Sequence, residues 1–271
     1  MQRQFQFYIV PTPIGNLDDI SLRTLELLNN VDIIACEDSR VTQNILNHFK
    51  IKTKLVSYHK YNERSRVNEI ISYINNGKTV ALVSDAGTPM ICDPGNILIS
   101  ELRKNNISIT SLAGACAIPT FLSQIPREDE CFVFVGFFPK SNQAAKELLL
   151  NYKDTNLVFY ESPNRIISTL QFVRECRGDV KVALGRELTK LYEETVIDSV
   201  SNVIKHFEKG IKGEIVCMVY ASSCDKKNGI DIPSKISLLQ EKGYKSKDIS
   251  IILSTLYGVN KNDVYKLAMS D

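Results

Sequence analysis

The strongest constraint on this chain is an alternation of two periods. Short apolar, β-rich runs at residues 5–10, 31–36, 54–59, 79–84 and 107–110 are separated by stretches with helical spacing, among them 67–74, which ends at Gly77, and 95–103. A strand that is followed by a helix regains a parallel neighbour through a crossover, so this order predicts βαβ units around a mostly parallel sheet. Pro11 to Asn16 reads as the first turn, and Asp18 or Asp19 is placed to cap a helix carrying Leu22, Leu25 and Leu28 on one face.

The polar, proline-bearing segment 124–130 reads as an inter-domain hinge. Beyond it, strands are predicted at 131–137, 157–161, 180–184, 195–199 and 214–220, with helices at 144–152, 165–174 and 201–209. Two successive strands meet around 192–194 without a helix between them, so this second sheet is predicted to be mixed. A second polar break, 222–231, precedes helical stretches at 235–242, 246–256 and 262–269, the last two joined at Gly258 in a helix–turn–helix shape. The fold class is therefore α/β, with lobes at 1–123 and 130–222 and a helical tail at 233–271.

Composition narrows the class of protein. Apolar and charged fractions of 44% and 24% are those of an ordinary globular chain and argue against disorder. Cysteines 36, 92, 116, 131, 176, 217 and 224 are odd in number and scattered, with no zinc-type spacing to the three histidines. They read as reduced thiols in a cytoplasmic protein that holds no metal. No apolar run reaches the roughly 20 residues of a spanning helix, and no signal peptide is seen, so no membrane partner is expected.

The common phosphate, dinucleotide, zinc-protease and nucleophile-elbow motifs are all missing. The distinctive segments are instead the loops that follow strands, where open α/β sheets bind ligands. Pro11-Thr-Pro-Ile-Gly-Asn is stiffened by prolines and is either a ligand wall or a plain strand-to-helix turn. In Ala35-Cys-Glu-Asp-Ser-Arg, Glu37 and Asp38 can accept from a ribose or act as a base, or Asp38 and Ser39 can cap a helix while Arg40 pairs nearby. Ser84-Asp-Ala-Gly-Thr-Pro-Met-Ile-Cys-Asp-Pro-Gly combines small residues with two proline turns and reads as a binding loop. Leu112-Ala-Gly-Ala-Cys-Ala offers either a pocket floor or close helix packing. In Phe159-Tyr-Glu-Ser-Pro-Asn-Arg and Gly185-Arg-Glu-Leu-Thr-Lys, Arg165 and Arg186 either grip an anion or pair with Glu161 and Glu187.

From Arg40 to Arg66 there are seven Lys/Arg against one acid, Glu63, with Tyr58, His59 and Tyr61 interleaved. Such a segment either meets phosphates and bases or forms a solvated face.

Six of these strings, from YIVPTPIGNLDDIS to GRELTKLYEE, stand in an order and at separations that closely resemble the tetrapyrrole-methylase-like (class III) S-adenosylmethionine-dependent methyltransferases, in the branch acting on small-subunit ribosomal RNA. The resemblance spans essentially the whole chain, the one departure being Ala113-Gly114 in place of a Pro-Gly pair. It implies a homodimer with S-adenosylmethionine in the cleft between lobes, and 2′-O-methylation of a cytidine in the decoding region of the RNA or of the assembled small subunit. By the same resemblance, Ile14, Gly15, Ala86, Gly87, Thr88, Ile91, Cys116, Ala117, Glu161, Leu188 and Thr189 contact the cofactor. The base is sought among Glu37, Asp38, Asp85 and Glu161, with His59 beside them. Arg40, Lys52, Lys54, Tyr58, His59, Lys60 and Arg165 are the expected RNA contacts. Two alternatives remain open: a tetrapyrrole as methyl acceptor, or an RNA-binding ribosome assembly factor without catalysis.

Overall fold

A computed structural model describes residues 5–128, 130–222 and 232–269; Asp129 in the hinge, and residues 223–231 of the second polar break, Cys224 among them, lie outside the described residues. The first five apolar runs become β1 (Phe7–Ile9), β2 (Ile33–Cys36), β3 (Lys54–Ser57), β4 (Val80–Val83) and β5 (Ile109–Ser111), each shorter than its run. They form one all-parallel sheet in the order β3-β2-β4-β1-β5. β2 and β4 are buried along their whole length, as strands covered on both faces must be.

Four helices connect these strands: α1 (Leu22–Asn30), α2 (Ser39–His48), α3 (Glu63–Asn75) and α4 (Asn96–Lys104). Leu28 and Leu46, from α1 and α2, pack with Ile34 and Ala81 on one face. Ile70, Leu98 and Leu102, from α3 and α4, pack with Ile33, Val80 and Leu82 on the other. The strand order requires this division. The chain steps from β1 toward the β3 edge through α1 and α2, then reverses through α3 and α4. Right-handed crossovers in opposite directions place their helices on opposite faces. The loops leaving neighbouring strands β1 and β4 therefore part, and a crevice opens between them.

α5 (Ala117–Ser123) leads to a second sheet of β6 (Phe132–Phe137), β7 (Asn156–Glu161), β8 (Lys181–Arg186), β9 (Glu194–Ser199) and β10 (Ile215–Val219), in the order β6-β7-β10-β8-β9. In this sheet β6 and β7 pair in parallel and the other neighbours antiparallel, so it is mixed as predicted, with the successive strands β8 and β9 paired as a hairpin. α6 (Asn142–Asn151), α7 (Ile166–Arg177) and α8 (Val200–His206) cover one face, through Leu149, Leu170 and Val203 on Leu157, Phe159 and Cys217. The alternate residues Val158, Ala183, Val216 and Met218 turn to the other face and meet Ile118, Phe121 and Leu122 of α5 with Ile14 and Leu188. Because this core is shared, both sheets belong to one compact unit ending at Tyr220.

A second unit, from Ala221 onward, contains α9 (Ile232–Glu241), α10 (Ser246–Tyr257) and α11 (Lys261–Leu267) around Ile236, Ile249, Leu253 and Val264. Gly258 ends α10 at φ 65°, the left-handed cap that glycine supplies. Among the described residues no helix is long and apolar enough to cross a membrane.

Some local expectations fail for physical reasons. Asp18 and Asp19 lie in a single 3₁₀ turn (Leu17–Asp19), and the α1 cap is Ser21, whose Oγ accepts from Thr24 N–H at 3.1 Å. Leu22 is 85% exposed. Side chains tilt toward a helix's N-terminus, so a leucine at the first position overhangs the helix end rather than the core. α3 begins at Glu63, ahead of residue 67, and α5 admits Pro119 because it falls in the first turn, where an N–H has no helical partner.

Gly185 shows how tightly the shared core is packed. A Cβ there would stand 2.7 Å from Phe121 Cδ2 and 3.3 Å from Leu188 Cδ2, and Phe121 is wholly buried. Gly185→Ala is expected to cost about 1–3 kcal/mol by overpacking, read as a lowered thermal midpoint. An unchanged midpoint would show that the two sheets are not held by this contact.

Candidate active site

The loops that leave β1, β4 and β5 are bound to one another. Thr12 and Gly87 exchange both backbone hydrogen bonds, at 2.9 and 3.0 Å. Thr12 Oγ1 donates to Ser84 O at 3.0 Å, and Thr88 Oγ1 donates to Ala115 O at 2.9 Å. Gly87 holds φ 77°, and a Cβ on it would meet Ile14 Cγ2 at 3.1 Å. Gly114 leaves room for the Pro11 ring, which a Cβ would approach to 2.6 Å.

Between these loops and the second sheet lies a cavity of about 410 Å³, a size typical of small-molecule sites. Ile14, Ala86, Gly87, Thr88, Ile91, Cys116, Ala117, Glu161 and Leu188 all line it, together with Glu37 and Asp85. Gly15 and Thr189 stand behind the wall instead. A Cβ on Gly15 would lie 2.8 Å from Leu188 O, and Asn16 N–H donates to Thr189 Oγ1 at 3.1 Å. Both residues thus hold the first loop against the second sheet. Thr189 has φ 65°, a conformation kept by its N–H donating to Glu193 at 2.8 Å.

Some wall residues carried no clear signal in the sequence. Asp93 lies in the recognised loop after β4 but was not singled out there, and Tyr160 precedes Glu161. Phe137 reaches the cavity because β6 shifts register before it, with Gly136 at φ 71°. Only that glycine hints at the bulge.

The carboxylates divide by their partners. Asp38 caps α2 and binds Arg40 Nη2 at 2.6 Å, which holds its carboxyl down at about 2. It is not on the cavity wall. Glu161 accepts from Thr169 Oγ1 at 2.9 Å and Ser162 N–H at 2.7 Å, with Arg165 at 3.3 Å. Arg165 also donates to Pro139 O at 2.9 Å, so it is a structural cation of the second sheet. Arg186 pairs with Glu194 at 2.7 Å rather than with Glu187. Asp85 accepts from Asp38 N–H at 2.9 Å. Glu37 accepts no hydrogen bond from a protein donor among the described residues. Burial, then the charges of Asp85 and Asp93, raise its carboxyl above the usual range. Burial and Asp85 raise Asp93 likewise. Among the described residues no His, Cys, Asp and Glu cluster is arranged to hold a metal.

Of the expected RNA contacts, Tyr58 is excluded. It is 1% exposed, inside the core beside α3, and its hydroxyl donates to Glu63 at 2.6 Å. Arg40, Lys52, Lys54 and Lys60 are exposed and His59 half-buried. Because the one acid of this stretch, Glu63, is itself buried, the surface is more basic than the sequence count suggests.

The family model for tetrapyrrole (corrin/porphyrin) methylases matches residues 6–204. A ribosomal RNA small subunit methyltransferase I of Escherichia coli O157:H7 is 36% identical, covering 98% of this chain and 95% of the relative. A protein of the same name from Hydrogenobaculum sp. (strain Y04AAS1) is 42% identical over 79% of this chain and 95% of its own. The chain belongs to the ribosomal RNA small subunit methyltransferase I group of the tetrapyrrole methylase family. Solved structures agree on the fold. A diphthine synthase matches with TM-score 0.64 at 14% identity, over 79% of this chain and 89% of its own, and a cobalt precorrin-4 methyltransferase with 0.58 at 15%, over 79% and 95%.

This methyltransferase uses S-adenosylmethionine, and the cavity suits that molecule. Ile14, Cys116, Ala117, Leu188 and Val216 offer apolar surface to a flat adenine. Glu37, Asp85 and Asp93 give the wall a negative charge, which favours a cationic sulfonium. Ala86 is an exposed position of the same wall without the positive φ of Gly87. Ala86→Trp is expected to weaken cofactor binding at least about tenfold in calorimetry, the loss of some 1.4 kcal/mol of contact, with the melting midpoint of the free protein unchanged. Undiminished affinity would place the cofactor elsewhere.

Proposed function

We propose that this methyltransferase methylates the ribose 2′-oxygen of a cytidine in the decoding region of small-subunit ribosomal RNA, as naked RNA or in the assembled subunit. The observation that carries the reading is the full-length likeness to relatives named for that RNA. The exposed cations Arg40, Lys52, Lys54 and Lys60, on the β2 and β3 side of the first sheet, support it as phosphate contacts. A cytoplasmic homodimer is the form that the family resemblance implies. Lobes at 1–123 and 130–222 enclose the cofactor, and the tail at 233–271 is a further helical element.

The bound cofactor supplies an electrophilic methyl, so the protein has three tasks: to align the ribose oxygen, exclude water and remove a proton. Ile14, Ala86, Thr88, Ile91, Cys116, Ala117 and Leu188 hold the cofactor, with Gly87 admitting close approach and Gly15 and Thr189 fixing the wall. Glu161 is a strut rather than a base, since its oxygens are already engaged. Asp38, held as a weak base by Arg40, is equally unsuited. Glu37 is the base: it faces the cavity unpartnered, and its raised carboxyl takes a proton more readily than an ordinary one. Glu37 would take the proton of the ribose oxygen as that oxygen accepts the methyl group that the bound cofactor would supply. Asp85 and Asp93 keep Glu37 basic by their charge.

A base must be deprotonated to act, so turnover should be lost as pH falls through the Glu37 pKa, and this acid limb should lie above the usual glutamate range. Glu37→Gln is expected to lower kcat by about 10²–10⁴-fold and to remove the limb. A surviving limb would move the role to Asp93 or Asp85. The function itself is tested with labelled S-adenosylmethionine and small subunits from cells lacking the gene. Incorporation at a cytidine ribose is expected. Label in a porphyrinoid and none in RNA would favour a tetrapyrrole acceptor, and RNA binding without cofactor affinity would favour an assembly factor.

A further inference from the structure

We propose that Tyr61 is the platform on which a nucleobase of single-stranded substrate RNA stacks, holding its ribose at the entrance of the cavity. The inference rests on the ribosomal RNA reading and adds to it the residue that positions the nucleotide. Tyr61 is 95% exposed, more than any other large apolar side chain among the described residues. A ring left in water presents its faces to another flat group, and base stacking on such rings tolerates any sequence.

The turn that carries this ring is held by hydrogen bonds. β2 and β3 pair in parallel with Cys36 opposite Ser57. Tyr58 N–H then donates to Cys36 O at 2.7 Å, which brings the turn carrying Tyr61 off the sheet edge beside Glu37. Asn62 closes that turn: its Oδ1 accepts from His59 N–H at 2.8 Å and its Nδ2 donates to Ser57 O at 3.2 Å. Tyr58 and Glu63 flank the turn, and Glu63 Oε1 accepts both from Tyr58 Oη at 2.6 Å and from Gly95 N–H at 3.0 Å. Gly95 follows by two residues Asp93 of the cavity wall. The turn that carries the ring is therefore braced to the loop that lines the cofactor site. His59 lies between the two features. Its ring meets Tyr61 edge to face at 6.1 Å. Its Nδ1 is buried with no hydrogen-bond partner among the described residues. Lys60 and Arg64, both exposed, set cations beside the ring for the flanking phosphates.

The chain has no tryptophan, so Tyr61→Trp introduces a single reporter at this position. Its emission is expected to be quenched when small subunits are added, as stacking on a base requires, with methyl transfer retained. Tyr61→Ala is expected to raise KM for subunits about 5- to 100-fold, the range of one lost stack. Cofactor affinity and melting midpoint should not move, and Tyr61→Phe should restore KM. An unchanged KM in Tyr61→Ala would overturn the proposal, as would Tyr61→Phe failing like alanine. Tryptophan emission that only shifts to the blue, the sign of burial against protein, would also overturn it. Absence of transfer by the unaltered chain would overturn the ribosomal RNA reading together with this one, whereas transfer with unchanged KM overturns this one alone.

Discussion

The pair of backbone hydrogen bonds between Thr12 and Gly87 is the constraint on which the site depends. The reversal of crossover direction between β1 and β4 would otherwise leave two loops parting over an open crevice. Joining them at one point makes the crevice a walled cavity, and it needs a residue free to hold φ 77° without a side chain pressing on Ile14. Thr12 and Ser84 hydroxyls secure the same point from either side, at Ser84 O and at Gly87 O. The rigidity of the first lobe's upper edge follows from topology and then from this tie.

The second sheet completes the enclosure by a simpler rule. Each of β7, β8 and β10 turns alternate residues to opposite faces, so one set meets α6, α7 and α8 and the other meets α5 and the cavity. Strand alternation thereby delivers Tyr160 and Val216 to the cavity, while Phe159 and Cys217 stay in the helical core.

Much of this was legible beforehand, because strands buried on both faces must be continuous apolar runs and the helices between them must be periodic. Strand ends were overextended, since apolar residues such as Val10 and Tyr58 continue inward after the ladder has stopped. That same effect misled the reading of the basic segment. Tyr58 and Tyr61 look alike in sequence, yet one follows Ser57 into the core and the other crosses the Asn62 turn into water. The loops that line the cavity were recognisable from their strings. Asp93 and Phe137 were not, because their positions depend on a long proline-stiffened loop and on a one-residue bulge. The division of labour among carboxylates was also hidden. Glu37 and Glu161 look alike in sequence, yet the fold surrounds Glu161 with Ser162, Thr169 and Arg165 and sets Glu37 beside Asp85 and Asp93.

Ile14, Cys116, Ala117, Leu188 and Val216 belong at once to the core between the two sheets and to the wall of the cavity. A methyl donor bound in this cavity would be a piece of hydrophobic interior delivered from outside. Linkage makes the folded population depend on its concentration, by about 2.7 kcal/mol at a hundredfold excess over Kd. A shortage of donor would then lower the stability of the fold as well as the rate of turnover. Through this wall, supply of the small molecule would bear on how long each copy stays folded.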